Sequence, residues 1–329
     1  MDVYYYKSES ANFGDDINSW LWERLIPERL AEPDDTIMTG IGTIIGQKVP
    51  GARTKKVFTS GAGYNPDFRM VLGAGWEIVA VRGPLTAALL ELPPTAAVTD
   101  GAILVHEFPE LLTDSSRRSG VFFMPHLSAA RAVDWPSVCA RAGVQYLDPR
   151  EEHLSLIKRI GSARLVLADA MHAAIVADAL RVPWIPLSTS SEVNTFKWLD
   201  WTLSMGVPYQ PEVMRSMSPL QFLRNIVGLL TFQRHRLKPD IGLERVLSAH
   251  ITFAKRKSVW QRLPIRYVGY LMLAMYNALL RFSILEKPIF NVDRNIRILR
   301  LLSTRKGFLS DDKIFYQKLN EVRIRLNSV

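Results

Sequence analysis

The stretch RLVLADAMHAAIVADALRVPWIPL, residues 164–187, reads as one complete unit of a parallel α/β fold. An apolar run of strand length, 164–168, passes through a single aspartate into an alanine-rich helical pattern at 170–180. A second apolar run, 184–187, follows Pro183. Two buried strands joined by a covering helix lie parallel, because the crossover returns the chain to the same end of the sheet. His172 falls in the first turn of that helix, just past the carboxyl end of a strand. Ligands of open α/β sheets bind there, and helix starts attract anions. Two readings stand for it: a group acting on a ligand, or a ring filling a helix–sheet contact.

The same alternation extends in both directions. Downstream of a polar stretch, TDSSRRS at 113–119, the pattern gives a strand at 121–124, a helix at 128–142, a strand at 144–147 and a helix at 150–160. After 187 comes a polar loop, STSSE, and a helix at 194–204. Upstream, strands are expected at 3–7, 36–38, 56–59, 77–81 and 96–98. The expected fold is α/β: two Rossmann-like domains, 1–115 and 116–208, facing across a cleft. Beyond them the pattern turns helical and basic, giving an extension over 209–329.

Charge divides the chain in the same place. Residues 211–329 hold 22 Lys/Arg against 8 Asp/Glu, a net of +14, while the first 210 hold 19 against 24, a net of −5. A basic tail suits nucleic acid, an anionic membrane surface or a polyphosphate carrier lipid. It shows no nucleic-acid-binding motif and no aromatic stacking platform, so nucleic acid is not an expected partner. Its most apolar piece, 267–280, is too short to span a bilayer and suits a buried or interfacial helix within 255–282. The single cysteine, Cys139, excludes an internal disulfide and fits a reducing compartment. The opening MDVYYYKSES lacks the basic-then-apolar order of a signal peptide, so a cytoplasmic location is expected.

Several residues stand where strands should end. Arg82 in VRGPLT precedes Pro84, which is set to open a helix; its guanidinium could grip phosphate or carboxylate, or form a surface ion pair. In NFGDD, Asn12 and Gly14 suit a tight turn. One of Asp15 and Asp16 suits a helix cap and the other an acidic group acting on a hydroxyl. Gly40 and Gly42 in TGIGT, and Gly61 and Gly63 in SGAGY, let backbone come close to a ligand. Asp100 in TDGAILV suits a turn or a polar site group, His126 in MPHLS would face the same cleft, and Lys197 in NTFKWLDW could bind phosphate or cover an aromatic surface with its stem. His106, His153, His235 and His250 show no partner spacing.

The absent motifs narrow the chemistry. There is no phosphate loop, dinucleotide fingerprint or Gly-x-Ser-x-Gly elbow, and no zinc-ligand spacing, so neither a metal nor a resident cofactor is expected. Acidic pairs such as Asp34–Asp35 and Asp311–Asp312 suit solvated turns better than magnesium.

Taken in order, NFGDD, IMTGIGTII, VFTSGAGY, VRGPLT, TDGAILV and RLVLADAMHAAIVADAL resemble the polysaccharide pyruvyltransferase family, in its exopolysaccharide, succinoglycan-type branch. The resemblance covers about residues 1–208. It implies a fold similar to two-domain GT-B glycosyltransferases and phosphoenolpyruvate as donor. It also implies an oligosaccharide acceptor, often on an isoprenoid diphosphate at the inner face of the cytoplasmic membrane. By resemblance His172 is the acid/base and Arg82 and Lys197 bind the donor; Asp16 is the expected acceptor-side base. Many relatives carry an arginine two residues before the histidine, where this chain has Ala170. That leaves one positive charge to be found elsewhere, on Lys197 or a tail arginine. The alternative on the same fold is a GT-B glycosyltransferase using a nucleotide-sugar, whose diphosphate the four glycines would also suit.

Overall fold

A computed structural model describes all residues except 8–10, 33, 64–67, 191, 231–241, 263–265 and 282–291. Two sheets carry the chain. In the first, β1 (Asp2–Tyr4), β2 (Thr36–Thr39), β3 (Thr54–Ser60) and β4 (Trp76–Val81) stand side by side in sequence order. The second contains β5 (Ser119–Met124), β6 (Gln145–Tyr146), β7 (Ala163–Ala168), β8 (Trp184–Ser188) and β9 (Glu212–Val213). Its spatial order is β6-β5-β7-β8-β9. Every pairing is parallel. Parallel strands are covered on both faces, which is why β2 and β8 are buried along their whole lengths.

Register brings the strand ends level. Ala168 of β7 pairs with Met124 of β5 on one side and Pro186 of β8 on the other. The chain leaving each of these strands therefore emerges at one edge of the sheet. The helix after β7, Met171–Ala179, has every residue buried except His172. It lies on its own sheet and also packs against a short 3₁₀ helix, Gly101–Glu107, that follows the first sheet. A helix enclosed on all sides must be apolar all round, which accounts for its Ala, Ile and Val composition. Through this contact one apolar core runs from Met38 and Phe58 by way of Leu104 and Val105 to Val166 and Trp184. A second core, built on Phe123, Trp135 and Leu167, is closed by Ile296 and Leu299.

Apart from β9 and the segment around Phe308, the basic region is mainly helical where it is described: Pro219–Leu230, Leu243–Arg262, Arg266–Arg281, Val292–Ser303 and Asp312–Leu326. Its last part returns to the core. Phe308 exchanges two backbone hydrogen bonds with Trp184 at the start of β8, 2.9 and 2.8 Å long. The Arg325 guanidinium donates to the carbonyls of Val79, at 2.8 Å, and Thr95, at 2.5 Å.

Three local expectations need correction. The strand expected at 3–7 is Asp2–Tyr4 and stops before Tyr5. The helix expected at 128–142 is two helices, Leu127–Ala130 and Trp135–Ala142, because Asp134 caps a new start and Pro136 lies in its first turn. Residues 96–98 form no strand; a lone bridge joins Ala97 to Val81. Cys139 is buried, and burial pushes its thiol up to about 12, so it packs as a small apolar group.

Candidate active site

A cavity of about 380 Å³ opens where the carboxyl ends of both sheets converge. From the first sheet it takes Tyr6 and residues 12–15, after β1, together with Thr43, Ile44 and Gln47, after β2. From the second come His126 after β5, residues 170–172 after β7, and Asn194, Lys197 and Trp198 after β8. His172, Asp15, Lys197 and His126 share this one space, though up to 182 positions separate them in sequence.

His172 stands where the helix pattern put it, in the first turn of Met171–Ala179. The preceding Ala170 makes no side-chain cap, so the helix start is open toward an anion. The imidazole is only 11% exposed, and its Nε2 lies 3.7 Å from the wholly buried Asp100 carboxylate. Its Nδ1 edge rests over Gly14: a Cβ there would fall 1.9 Å from Nδ1. Gly14 is thus the hole into which the ring fits, a close approach rather than the turn its sequence suggested.

Of the two adjacent aspartates, Asp15 reaches the cavity and Asp16 does not. Asp16 accepts from the Asn12 backbone N–H at 2.7 Å, closing the turn before the short Phe13–Asp16 helix. Asp15 is held by the Asn12 side-chain amide. Burial pushes the Asp15 carboxyl above its ordinary range, against the opposing positive fields of His172 and Lys197. A carboxyl so shifted beside a histidine in a cleft is suited to proton transfer. Of the pair it is Asp15, not the expected Asp16, that is placed to meet a ligand in the cavity.

Arg82 departs most from expectation. Its side chain is fully buried and does not line the cavity. The guanidinium donates to Asp200 at 3.1 Å, to Thr43 Oγ1 at 3.1 Å and to the carbonyls of Ala62 and Gly42 at 3.2 and 3.4 Å. It thereby pins both glycine loops, and Gly61 lacks a side chain because a Cβ would lie 2.2 Å from the guanidinium carbon. Gly63 has φ of +146°, and its carbonyl accepts from Asn194 at 2.7 Å. Gly40 gives room to Asn18 and Trp22, and Gly42 to Asp15. All four glycines shape the walls; none lines the cavity.

Lys197 lines the cavity beside Gly63. No arginine does among the described residues, and Ala170 occupies the wall where an arginine was missing from the sequence pattern. The tail arginine that comes near, Arg224, is paired with Glu192 at 2.5 Å. His126 hydrogen-bonds Ser128 Oγ at 2.7 Å, and burial pushes its imidazole below the usual range. The other histidines are structural where described. His106 bonds the Ala179 carbonyl at 2.7 Å, while His153 and His250 stack on Trp20 and Phe196. His235 lies outside the described residues.

Sequence reasoning passed over three residues that hold the site. Asp169, fully buried, accepts from the backbone N–H groups of His126 and Thr189 at 2.7 and 2.9 Å, tying the β5, β7 and β8 exits together. Asn194 caps the Thr195–Ser204 helix that carries Lys197. Asn18 exchanges hydrogen bonds with both backbone groups of Ile41. Asn194 directly precedes its helix, the recognised position of a cap residue, so a signal was there, whereas Asp169 stands one residue further out, before Ala170. Asn18 had none.

No family model matches the chain. A comparison with curated proteins finds 42% identity over 214 residues to succinoglycan biosynthesis protein ExoV of Rhizobium meliloti (strain 1021), covering 64% of this chain and 67% of that protein. The chain belongs to the polysaccharide pyruvyltransferase family. That membership sets aside the nucleotide-sugar glycosyltransferase. In this pyruvyltransferase, then, the described cavity offers Lys197, two histidines, an open helix start and one carboxyl of raised pKa. No described helix is long and apolar enough to cross a membrane.

Proposed function

We propose that the cavity transfers the enolpyruvyl carbons of phosphoenolpyruvate to a sugar of a lipid-linked polysaccharide repeat unit, forming a pyruvate ketal. The observation that carries this is the convergence of His172, Asp15 and Lys197 in one cavity at the carboxyl ends of both sheets. Lys197 and the start of the Met171–Ala179 helix would take the donor's phosphate and carboxylate. His172 gives a proton to the donor methylene: an N–H bond breaks, the double-bond pair forms the new C–H bond, and the adjacent carbon becomes oxocarbenium-like. A sugar hydroxyl adds there as its proton passes to Asp15. A second hydroxyl then displaces phosphate and closes the ketal, with protons returned through the same two groups. Arg82 contributes by fixing the loops around the donor rather than by contact.

Two Rossmann-like units in a GT-B-like arrangement, 1–115 and 116–208 with the extension at 209–329, find support in two separate parallel sheets whose ends share one cavity, although β9 carries the second sheet to Val213, past the 208 boundary. We read the protein as cytoplasmic and peripheral on the inner membrane face. Support comes from the Arg266–Arg281 helix, which exposes Tyr267, Val268, Leu271 and Met275 along one side, and from the exposed Lys255 and Arg256. The test of the reaction is mass spectrometry of lipid-linked oligosaccharide after incubation with phosphoenolpyruvate. The expected gain is one pyruvic acid less one water. No gain with phosphoenolpyruvate, on acceptor that takes a hexose from a nucleotide-sugar, would sink the proposal.

A further inference from the structure

Two buried polar atoms face each other in this structure without a hydrogen-bond partner. They are Oδ2 of Asp100 and Nε2 of His172, 3.7 Å apart. Leaving a buried carboxylate oxygen and a ring nitrogen unsatisfied is costly, because each has lost its water without gaining a partner. Such a pair persists where the two atoms serve each other in another state of the site.

The mount is rigid on both sides. Asp100 uses Oδ1 to accept from the Ala102 backbone N–H at 3.0 Å, capping the Gly101–Glu107 turn. Gly101 is pressed so closely that a Cβ would meet Thr59 Oγ1 at 2.5 Å, which stops the turn from moving back. His172 rides on the buried helix that packs against this turn. Burial pushes the Asp100 carboxyl up, but the His172 ring, the Arg82 charge and the Ala102 N–H outweigh it and hold the carboxyl below its ordinary range. It is therefore an anion waiting behind the imidazole. The other charged groups acting on this corner are Asp15 and Lys197, which stand on the cavity side.

We infer that Asp100 is the positioning residue of His172, accepting its Nε2–H so that Nδ1, over Gly14, is the nitrogen that exchanges protons with substrate. A shift of about 0.8 Å brings Nε2 to ordinary hydrogen-bond distance, and such bonds are commonly long before substrate is bound. With Nε2 shut away from solvent, Nδ1 is the nitrogen left with access to the cavity. When Nδ1 takes a proton from a hydroxyl, the O–H bond breaks and an N–H bond forms. The imidazolium keeps Nε2–H, and no proton passes to Asp100; its negative charge stabilises the cation in place. The inference rests on the acid/base reading of His172 and adds which nitrogen works and what aims it.

The test uses the full chain with ¹⁵N-labelled histidine, the His172 signals being assigned by their loss in His172→Gln. Long-range ¹H–¹⁵N correlation on the neutral ring is expected to show the Nε2–H tautomer. Asp100→Asn keeps the volume and the Oδ1 cap but removes the charge. It should lose the tautomer preference and lower kcat by a hundredfold to ten-thousandfold, roughly the range for a mispositioned acid/base. The KM for phosphoenolpyruvate should stay within about threefold. An Nδ1–H tautomer in the unaltered protein overturns the inference without any variant. So does an Asp100→Asn protein with unchanged kcat, or one that melts early and loses donor affinity while keeping its tautomer. Full transfer by His172→Gln would instead remove the acid/base reading itself, whatever the tautomer.

Discussion

Replacing Gly14 with alanine tests the geometry of the site through a single methyl group. The new Cβ would fall 1.9 Å from Nδ1, 2.4 Å from Cγ and 2.8 Å from Cε1 of His172. Ordinary contact between such atoms is about 3.5 Å, so the ring must retreat by roughly 1.5 Å. It has somewhere to go, because the cavity of about 380 Å³ lies beside it. Gly14 sits inside a helical turn, where alanine is favoured over glycine by about 1 kcal/mol. Melting temperature should therefore hold or rise slightly. Activity should not: a misplacement of about 1 Å at a reacting group costs around a hundredfold. Single-turnover phosphate release should slow by at least that much in Gly14→Ala, while donor titration changes little because Lys197 is untouched. A variant that turns over within about threefold of the parent would refute the placement of the working ring. One that melts far below it would show that the ring cannot yield as argued.

Arg82→Ala should unfold earlier in urea by about 3–5 kcal/mol, since it strands the buried Asp200 carboxylate; a stable variant with weakened donor affinity would restore the direct-binding role. For Asp15 the sign follows from its raised pKa: the folded chain holds a proton that the unfolded chain sheds, so stability present below pH 3.8 is lost as pH climbs through the raised value. Asp15→Asn cannot ionise, and should match the parent near pH 3 yet be more stable at neutral pH in chemical unfolding. Equal stability across the range would count against burial as the cause. Vesicle flotation should carry the full chain with anionic but not neutral lipid, and Leu271→Asp with Met275→Asp, both more than half exposed, should abolish it; a parent that never floats ends the membrane reading.

The strands were legible because parallel sheets favour short, mainly apolar runs, and 36–38, 56–59, 77–81 and 164–168 all lie inside observed strands. His172 was legible for the same reason: once β7 and its helix are recognised, the position between them is a strand's carboxyl end. The identity of its partner was not. Asp100 lies 72 positions earlier, and no local pattern marks which turn will pack against a given helix. Arg82 misled in a similar way. At a strand end it looked free to grip a ligand, but the acid that claims it, Asp200, is 118 residues away. Asp15 and Asp16 are neighbours in one helical turn, pointing about 100° apart, and only the completed cavity distinguishes them. The break in the 128–142 helix was readable in Asp134-Trp-Pro, an N-cap followed by a first-turn proline that apolar periodicity outweighed.

The stretch around Phe308 and Arg325 acts as a strap. At one end it adds a backbone bridge to Trp184 in the second sheet, and at the other it grips carbonyls at Val79 and Thr95 beside the first. With the apolar core also continuous between the sheets, a wide hinge opening would have to tear both strap and core. Access to the cavity must then be governed by the loops at its mouth, and turnover should respond to loop substitutions more than to solvent viscosity acting on whole lobes.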